Sequence, residues 1–248
     1  MDQASVIAAS GLRSRMQALD LLSNNLANSS TSGYKLDREF YSLFSAAGES
    51  VETDETQLPY VKSQWTDFSQ GTLTPTGNPM DLALDGQGFF VVQGPSGPLY
   101  TRNGAFQISA AGQLTTSEGY PVQGVLQGVE GPIQLQSQAP VEIGPDGTVL
   151  QNGNTISQLE IVDFKNRGAL EKTAGSFFTN TQPKVLPIAS QATVAQGRLE
   201  GSNVAPAESA VRLVGVMRQF EMLQKAITLT DDMTKQAIQE VARVTGGQ

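Results

Sequence analysis

Residues 12–35 read LRSRMQALDLLSNNLANSSTSGYK, an apolar pattern that breaks into a polar run. Leu12, Met16, Leu19, Leu22 and Leu26 recur at intervals of 4, 3, 3 and 4, which places them on one stripe of a helix over 4–28. Behind the stripe, Ser29, Ser30, Thr31, Ser32 and Gly33 offer a core nothing apolar. A helix with a single narrow stripe gains most of its stability by packing that stripe on something else. The matching pattern lies at the far end of the chain, where Leu213, Met217, Phe220, Leu223 and Ile227 repeat the same four intervals. Asn203 and Pro206 stand in the turn ahead of that second helix, and Gly246-Gly247 closes it. At 1.5 Å per residue the first helix spans about 37 Å and the second, from Pro206 to Val244, about 58 Å, so the second overhangs.

Between the ends the pattern changes. DLALDGQGFFVVQG (81–94), GPLYTRNGAFQIS (97–109), AGQLTTSEGYPVQG (111–124), APVEIGPDGTVL (139–150) and ISQLEIVDF (156–164) are short alternating or β-branched runs, with RNG and PDG as turn signals. The predicted fold class is α+β: long N- and C-terminal helices pairing as a coiled coil, with an antiparallel β domain inserted between them. The expected division is 1–28 with 206–248 as the helical domain, 29–77 as an extended connecting segment carrying the lone Trp65, and 78–205 as the β-rich outer domain.

Composition narrows the chemistry. There is no cysteine and no histidine among 248 residues, which excludes thiolate catalysis, a Ser-His-Asp hydrolase and a His-ligated zinc enzyme. Sixteen basic against 24 acidic residues give a net charge of -8 with no basic cluster, which argues against a nucleic-acid partner. Charged residues make up 16% and Gly plus Pro 25 + 12 = 37 positions, a mixture that favours strands and turns. MDQASVIAASGLRSR has Asp2 where a secretion signal carries positive charge, and no run approaches the length of a membrane span. Neither a cofactor nor a metal is expected.

SNNLANSSTSGYK (23–35), GNPMDLALDGQGFFVV (77–92), YTRNGAFQIS (100–109), LEGSNV (199–204) and RQFEMLQKAI (218–227), in this order, resemble the flagellar hook and basal-body rod family along nearly the whole chain. The resemblance implies a structural subunit of the bacterial flagellar axial structure, polymerising helically with itself and other rod subunits through its terminal helices around the export channel, to transmit torque. It also implies passage through the flagellar type III export apparatus without a cleaved signal, a place in the periplasm-spanning rod, and contacts with rod-cap and hook-side neighbours. The start, the length and the short spacer between Gly33 and Gly77 point to a rod subunit, toward the proximal end before the distal, rather than to the much longer hook protein.

Two groups of residues carry that function. The stripe residues Leu12, Met16, Leu19, Leu22, Leu26, Leu213, Met217, Phe220, Leu223 and Ile227 are expected to pack subunits as well as each other. Asn24, Asn25, Asn28, Gly33, Tyr34 and Lys35 form an elbow, in which the Asn amides bind backbone where helix meets extended chain and Gly33 supplies a positive φ. Gly33→Val is accordingly expected to harm assembly and leave the β domain almost untouched. The Asn residues read equally as ordinary helix stops. DGQGFF lacks the helix and lysine of a phosphate loop, and Phe89, Phe90, Val91 and Val92 read as a strand buried on both faces. A peptidoglycan-acting carboxylate pair among Asp81, Asp85, Glu118, Asp146, Glu160 and Asp163 is the enzymatic alternative, although most of these flank turns.

Overall fold

A computed structural model describes residues 3–45, 57–126, 128–136 and 139–245. A largely antiparallel β domain lies in the chain between an N-terminal helix, α1 (Gln3–Ala27), and a C-terminal helix, α2 (Pro206–Thr245). Two compact units divide the chain. One contains α1, the ribbon residues 37–45 and 57–65, and α2; the other contains Asn28–Leu36 and Thr66–Val204.

The β unit has a six-stranded sheet in the order Leu170–Ala174, Phe177–Asn180, Gly97–Thr101, Phe89–Gly94, Ile161–Asp163, Ile188–Ala189. A five-stranded sheet runs Val129–Pro132, Gln123–Leu126, Asn154–Leu159, Thr148–Gln151, Val141–Ile143. Short two-stranded pairs complete the unit, notably Arg198–Glu200 with Leu73–Pro75 and Thr193–Gln196 with Leu82–Asp85. All these ladders are antiparallel. Phe89–Gly94 is one of the two central strands, and its side chains alternate between two cores. Phe90 and Val92 join Leu82, Leu114 and Val149 in one, while Phe89 and Val91 join Tyr100, Phe164 and Phe178 in the other. Burial on both faces explains why this stretch reads as an unbroken apolar run.

The turn signals divide. Pro145-Asp146-Gly147 is a turn in which Gly147 takes φ 81° and its N–H donates to the Gly144 carbonyl. Arg102-Asn103-Gly104 is not a positive-φ hairpin. Neither Asn103 nor Gly104 has φ in that range, and Gly104 is required because the Leu82 carbonyl occupies the space of a Cβ. The chain there is pinned between strands.

In the helical unit, α1 and α2 lie against each other, and a Cβ at Gly11 would meet Leu223 Cδ1 at 3.5 Å. The buried row of α1 is Ser14, Ala18, Leu21, Leu22 and Asn25, so only Leu22 of the five predicted stripe residues is fully buried. Leu12, Leu19 and Leu26 are half-buried and Met16 is exposed. Hydrophobicity alone overlooked small side chains, which disappear beneath a neighbour because they have little surface to cover. On α2 the half-buried row is Leu213, Val216, Phe220, Leu223, Ile227 and Thr230, at intervals of 3, 4, 3, 4 and 3. Val216 takes the place read for Met217, which is exposed. Among the described residues no helix is long and apolar enough to cross a membrane.

Candidate functional site: the join between helix and sheet

The expected division at 28/29 and 77/78 differs from the observed one. After α1 the chain enters the β unit for residues 28–36 only, returns to the helical unit as the ribbon, and enters the β unit again at Thr66. The described residues of 29–77 therefore fall in three stretches, of which the first and last belong to the β unit. The excursion 28–36 is also far from passive, since Gly33, Tyr34 and Lys35 are all buried.

Its geometry starts from the turn after α1. Asn28 accepts from Thr31 at both its backbone and side-chain oxygens, at 3.1 and 3.2 Å, which closes the turn. Asn25 is buried within the helical unit, where its amide donates to the Asp37 carbonyl at 2.8 Å and accepts from the Asp37 N–H at 3.1 Å. That two-point clamp needs an amide, because Asp offers no donor and Ser cannot serve both groups at this spacing. Asn24 is exposed. Asn25 and Asn28 thus do two different things.

Gly33 takes φ 69°, and a Cβ there would overlap the backbone nitrogen of Asn103. Its N–H donates to the Glu200 carbonyl at 2.7 Å. Asn203 continues the pairing: its N–H donates to the Tyr34 carbonyl at 3.4 Å and its Oδ1 accepts from the Leu36 N–H at 2.7 Å. The same side chain donates to the carbonyls of Asp67 and Ser69, at 2.8 and 3.2 Å. Residues 33–36 thereby lie alongside 200–203 almost as an added strand.

Beneath this pairing sits a buried charge cluster. The Lys35 ammonium and Glu200 carboxylate are 0% exposed and 2.5 Å apart, and Lys35 also donates to the Ser69 carbonyl at 2.6 Å. Arg102 donates to the other oxygen of Glu200 at 3.1 Å and to the Gly86 carbonyl at 2.7 Å. The Gly71 N–H donates to Glu200 Oε1 at 2.9 Å, so the carboxylate accepts from three segments. Burial pulls both Lys35 and Arg102 below their ordinary pKa values, against the opposing pull of Glu200; the charge of Arg102 lowers Lys35 further, and that of Arg167 lowers Arg102. At the rim, Lys172 donates to the Lys35 carbonyl at 2.7 Å and lies 3.9 Å from the Tyr34 ring centroid.

Sequence reasoning missed Glu200, Arg102 and Lys172, and read Asn203 only as part of the turn before α2. Glu200 and Arg102 stand inside the stretches LEGSNV and YTRNG; a charge set in a short β-type run was the available signal. Three of the six carboxylates of the enzymatic alternative are engaged locally: Asp81 with Asn78, Asp146 with Thr148, and Asp163 with Arg167. The Asp163 carboxyl is raised by burial, but its bonds to Arg167 and the Phe164 N–H bring it below its usual value.

Three family descriptions match along the chain. Residues 7–35 match the flagella basal body rod protein family, residues 83–151 the flagellar hook protein FlgE/F/G D1 domain, and residues 195–240 the flagellar basal body rod FlgEFG protein C-terminal region. The first and last of these ranges contain the two sides of the join. The chain belongs to the flagellar basal-body rod protein family. It is 33% identical over 260 residues to the flagellar basal-body rod protein FlgG of Buchnera aphidicola subsp. Schizaphis graminum, with 94% of this chain and 97% of that protein covered. To FlgF of Salmonella typhimurium it is 31% identical, covering 94% and 95%. To FlgF of Caulobacter vibrioides it is 29% identical, covering 98% of this chain and the whole of that protein.

Proposed function

We propose that the chain is a non-catalytic structural subunit of the flagellar basal-body rod, built into a helical assembly by α1 and α2, which pair as a coiled coil and pack on the helices of neighbouring subunits around the export channel. One observation carries the reading. In a member of the rod family, α2 leaves Val211, Val214, Met217, Met222, Leu229, Met233 and Ile238 exposed along its length. At 40 residues against 25, α2 is about 60 Å long beside about 37 Å for α1, so its far end outruns any cover α1 can give. Apolar side chains at this density on a helix call for a partner.

The half-buried row of α2, with its alternating intervals of 3 and 4, supports the coiled-coil pairing, as does the approach of Gly11 to Leu223 at 3.5 Å. A place toward the proximal end of the rod is favoured by the short spacer between Gly33 and Gly77, and the end-to-end match to a FlgF protein is consistent with a chain that carries no long insertion there. Export through the flagellar type III apparatus, and contacts with rod-cap and hook-side neighbours, follow from the same reading.

The test is Met233→Asp in a motile cell. Burying that charge against an apolar neighbour costs several kcal/mol in every subunit. The expected outcome is a protein that is exported at the normal level, is missing from purified basal bodies, and leaves cells non-motile. Normal incorporation and swimming would refute assembly through α2.

A further inference from the structure

Two independent features fix which residues of the join enter the β unit. The first is steric: at Gly33 a Cβ would overlap the backbone of Arg102 and Asn103. Both flanking residues, Ser32 and Tyr34, carry a Cβ, so a slip of one residue in either direction is blocked. The second is electrostatic: Lys35 is the one charged residue in 28–36. Any slip takes it from the buried Glu200 and leaves that carboxylate facing a neutral side chain.

The electrostatic feature is poorly suited to stabilising the unit. Two buried cations share one carboxylate, and the Arg102 Nε–H has no hydrogen-bond acceptor among the described residues. Desolvating such a set costs about as much as the pairing returns, and well-packed apolar residues do as well or better. Apolar packing can, however, adjust to a shifted neighbour, whereas a buried charge taken from its partner is left uncompensated. We propose that the Lys35–Glu200–Arg102 cluster is a register lock, which holds residues 33–36 against 200–203 in one alignment and so sets the point at which the chain leaves α1. The lock is a property of the single folded chain and stands apart from the rod reading.

Hydrogen exchange on the isolated full chain tests it. The amides of Gly33 and Leu36 report the join, because they donate to the Glu200 carbonyl and Asn203 Oδ1. The amides of Val91 and Gln93 report the sheet, because they donate to the carbonyls of Glu160 and Pro121. In the triple variant Lys35→Met, Arg102→Met, Glu200→Leu, the unfolding midpoint is expected at or above that of the wild type. Exchange at Gly33 and Leu36 is expected to rise at least about 10-fold, while Val91 and Gln93 are unchanged. A triple variant that unfolds earlier makes the cluster a stability element and overturns the lock. So does one that keeps wild-type protection at both join amides, since packing and Gly33 would then suffice. The isosteric Glu200→Gln is the second arm: because it leaves two buried cations unpaired, all four amides are expected to lose protection, Gly33 and Leu36 by at least about 10-fold more than Val91 and Gln93, and an equal change at all four amides, or none, overturns the proposal.

Discussion

The two units of this chain treat their awkward groups in opposite ways. The β unit brings costly groups inside, including three charges, one of them a lysine that is 0% exposed, and gives the carboxylate three donors. The helical unit leaves apolar side chains outside, with Val211 75% and Met233 70% exposed. Burying polar groups with partners makes one conformation unique, whereas leaving apolar groups uncovered makes a surface that is completed by something else. The β unit closes over its awkward groups, and the helical unit leaves its apolar ones open.

Removing one charge from the cluster should produce the largest effect. Glu200→Leu leaves Lys35 and Arg102 buried without their carboxylate, and the β unit should lose about 3–5 kcal/mol in urea unfolding. A loss below about 1 kcal/mol would mean the cations find water or move out, and the contrast with the helical unit would weaken.

Gly33→Val comes next. The residue belongs to the β unit, so the expectation that its replacement spares that unit does not survive the structure. Holding a β-branched residue at φ 69° adds strain of about 1–3 kcal/mol, and the overlap with Asn103 adds to it. Thermal unfolding followed by near-UV circular dichroism measures the loss, since Tyr34 and the packed Phe rings report the β unit.

Met233→Ser should change the stability of the isolated chain by less than about 0.5 kcal/mol, because the side chain is already in water. Calorimetry checks this, and a larger loss would show that α2 is covered within its own chain. The smallest effect is a pH slope. Burial, and then the charge of Glu130, raise the Glu160 carboxyl above its ordinary value. The folded state therefore holds its proton more tightly, and stability falls as pH rises from the ordinary glutamate pKa through the raised one. Glu160→Gln should stabilise the protein at pH 7 by less than about 0.5 kcal/mol, with the gain vanishing below about pH 4. Chemical unfolding at the two pH values reads the difference.

The elements themselves were legible. The helix 3–27, the helix from Pro206 and the buried strand at Phe89–Gly94 follow from local periodicity, which needs only neighbours in sequence. Gly33 was legible as a positive-φ bend, because a polar run after a helix leaves little else for a glycine to do. What surrounds it was not. Glu200 meets Lys35 across 165 residues and Arg102 across 98, and Asn203 reaches Leu36 across 167. Local reading gave Asn203 to the turn before α2 and Arg102 to a hairpin, each the nearest available role.

The sequence by itself determined that two amphipathic helices flank an antiparallel β region and that the chain carries the marks of a flagellar axial protein. Those properties are written in the spacing of apolar residues and in runs of motif that lie together in the chain. Only the tertiary structure decided that residues 28–36 belong to the β unit, that the buried face of α1 is built largely from Ser14, Ala18 and Asn25 beside its leucines, and that three charges close beneath the join. The reason is physical. A charge is tolerated inside a protein only where specific partners meet it, and which partners meet is set by the path of the whole chain, not by the residues on either side.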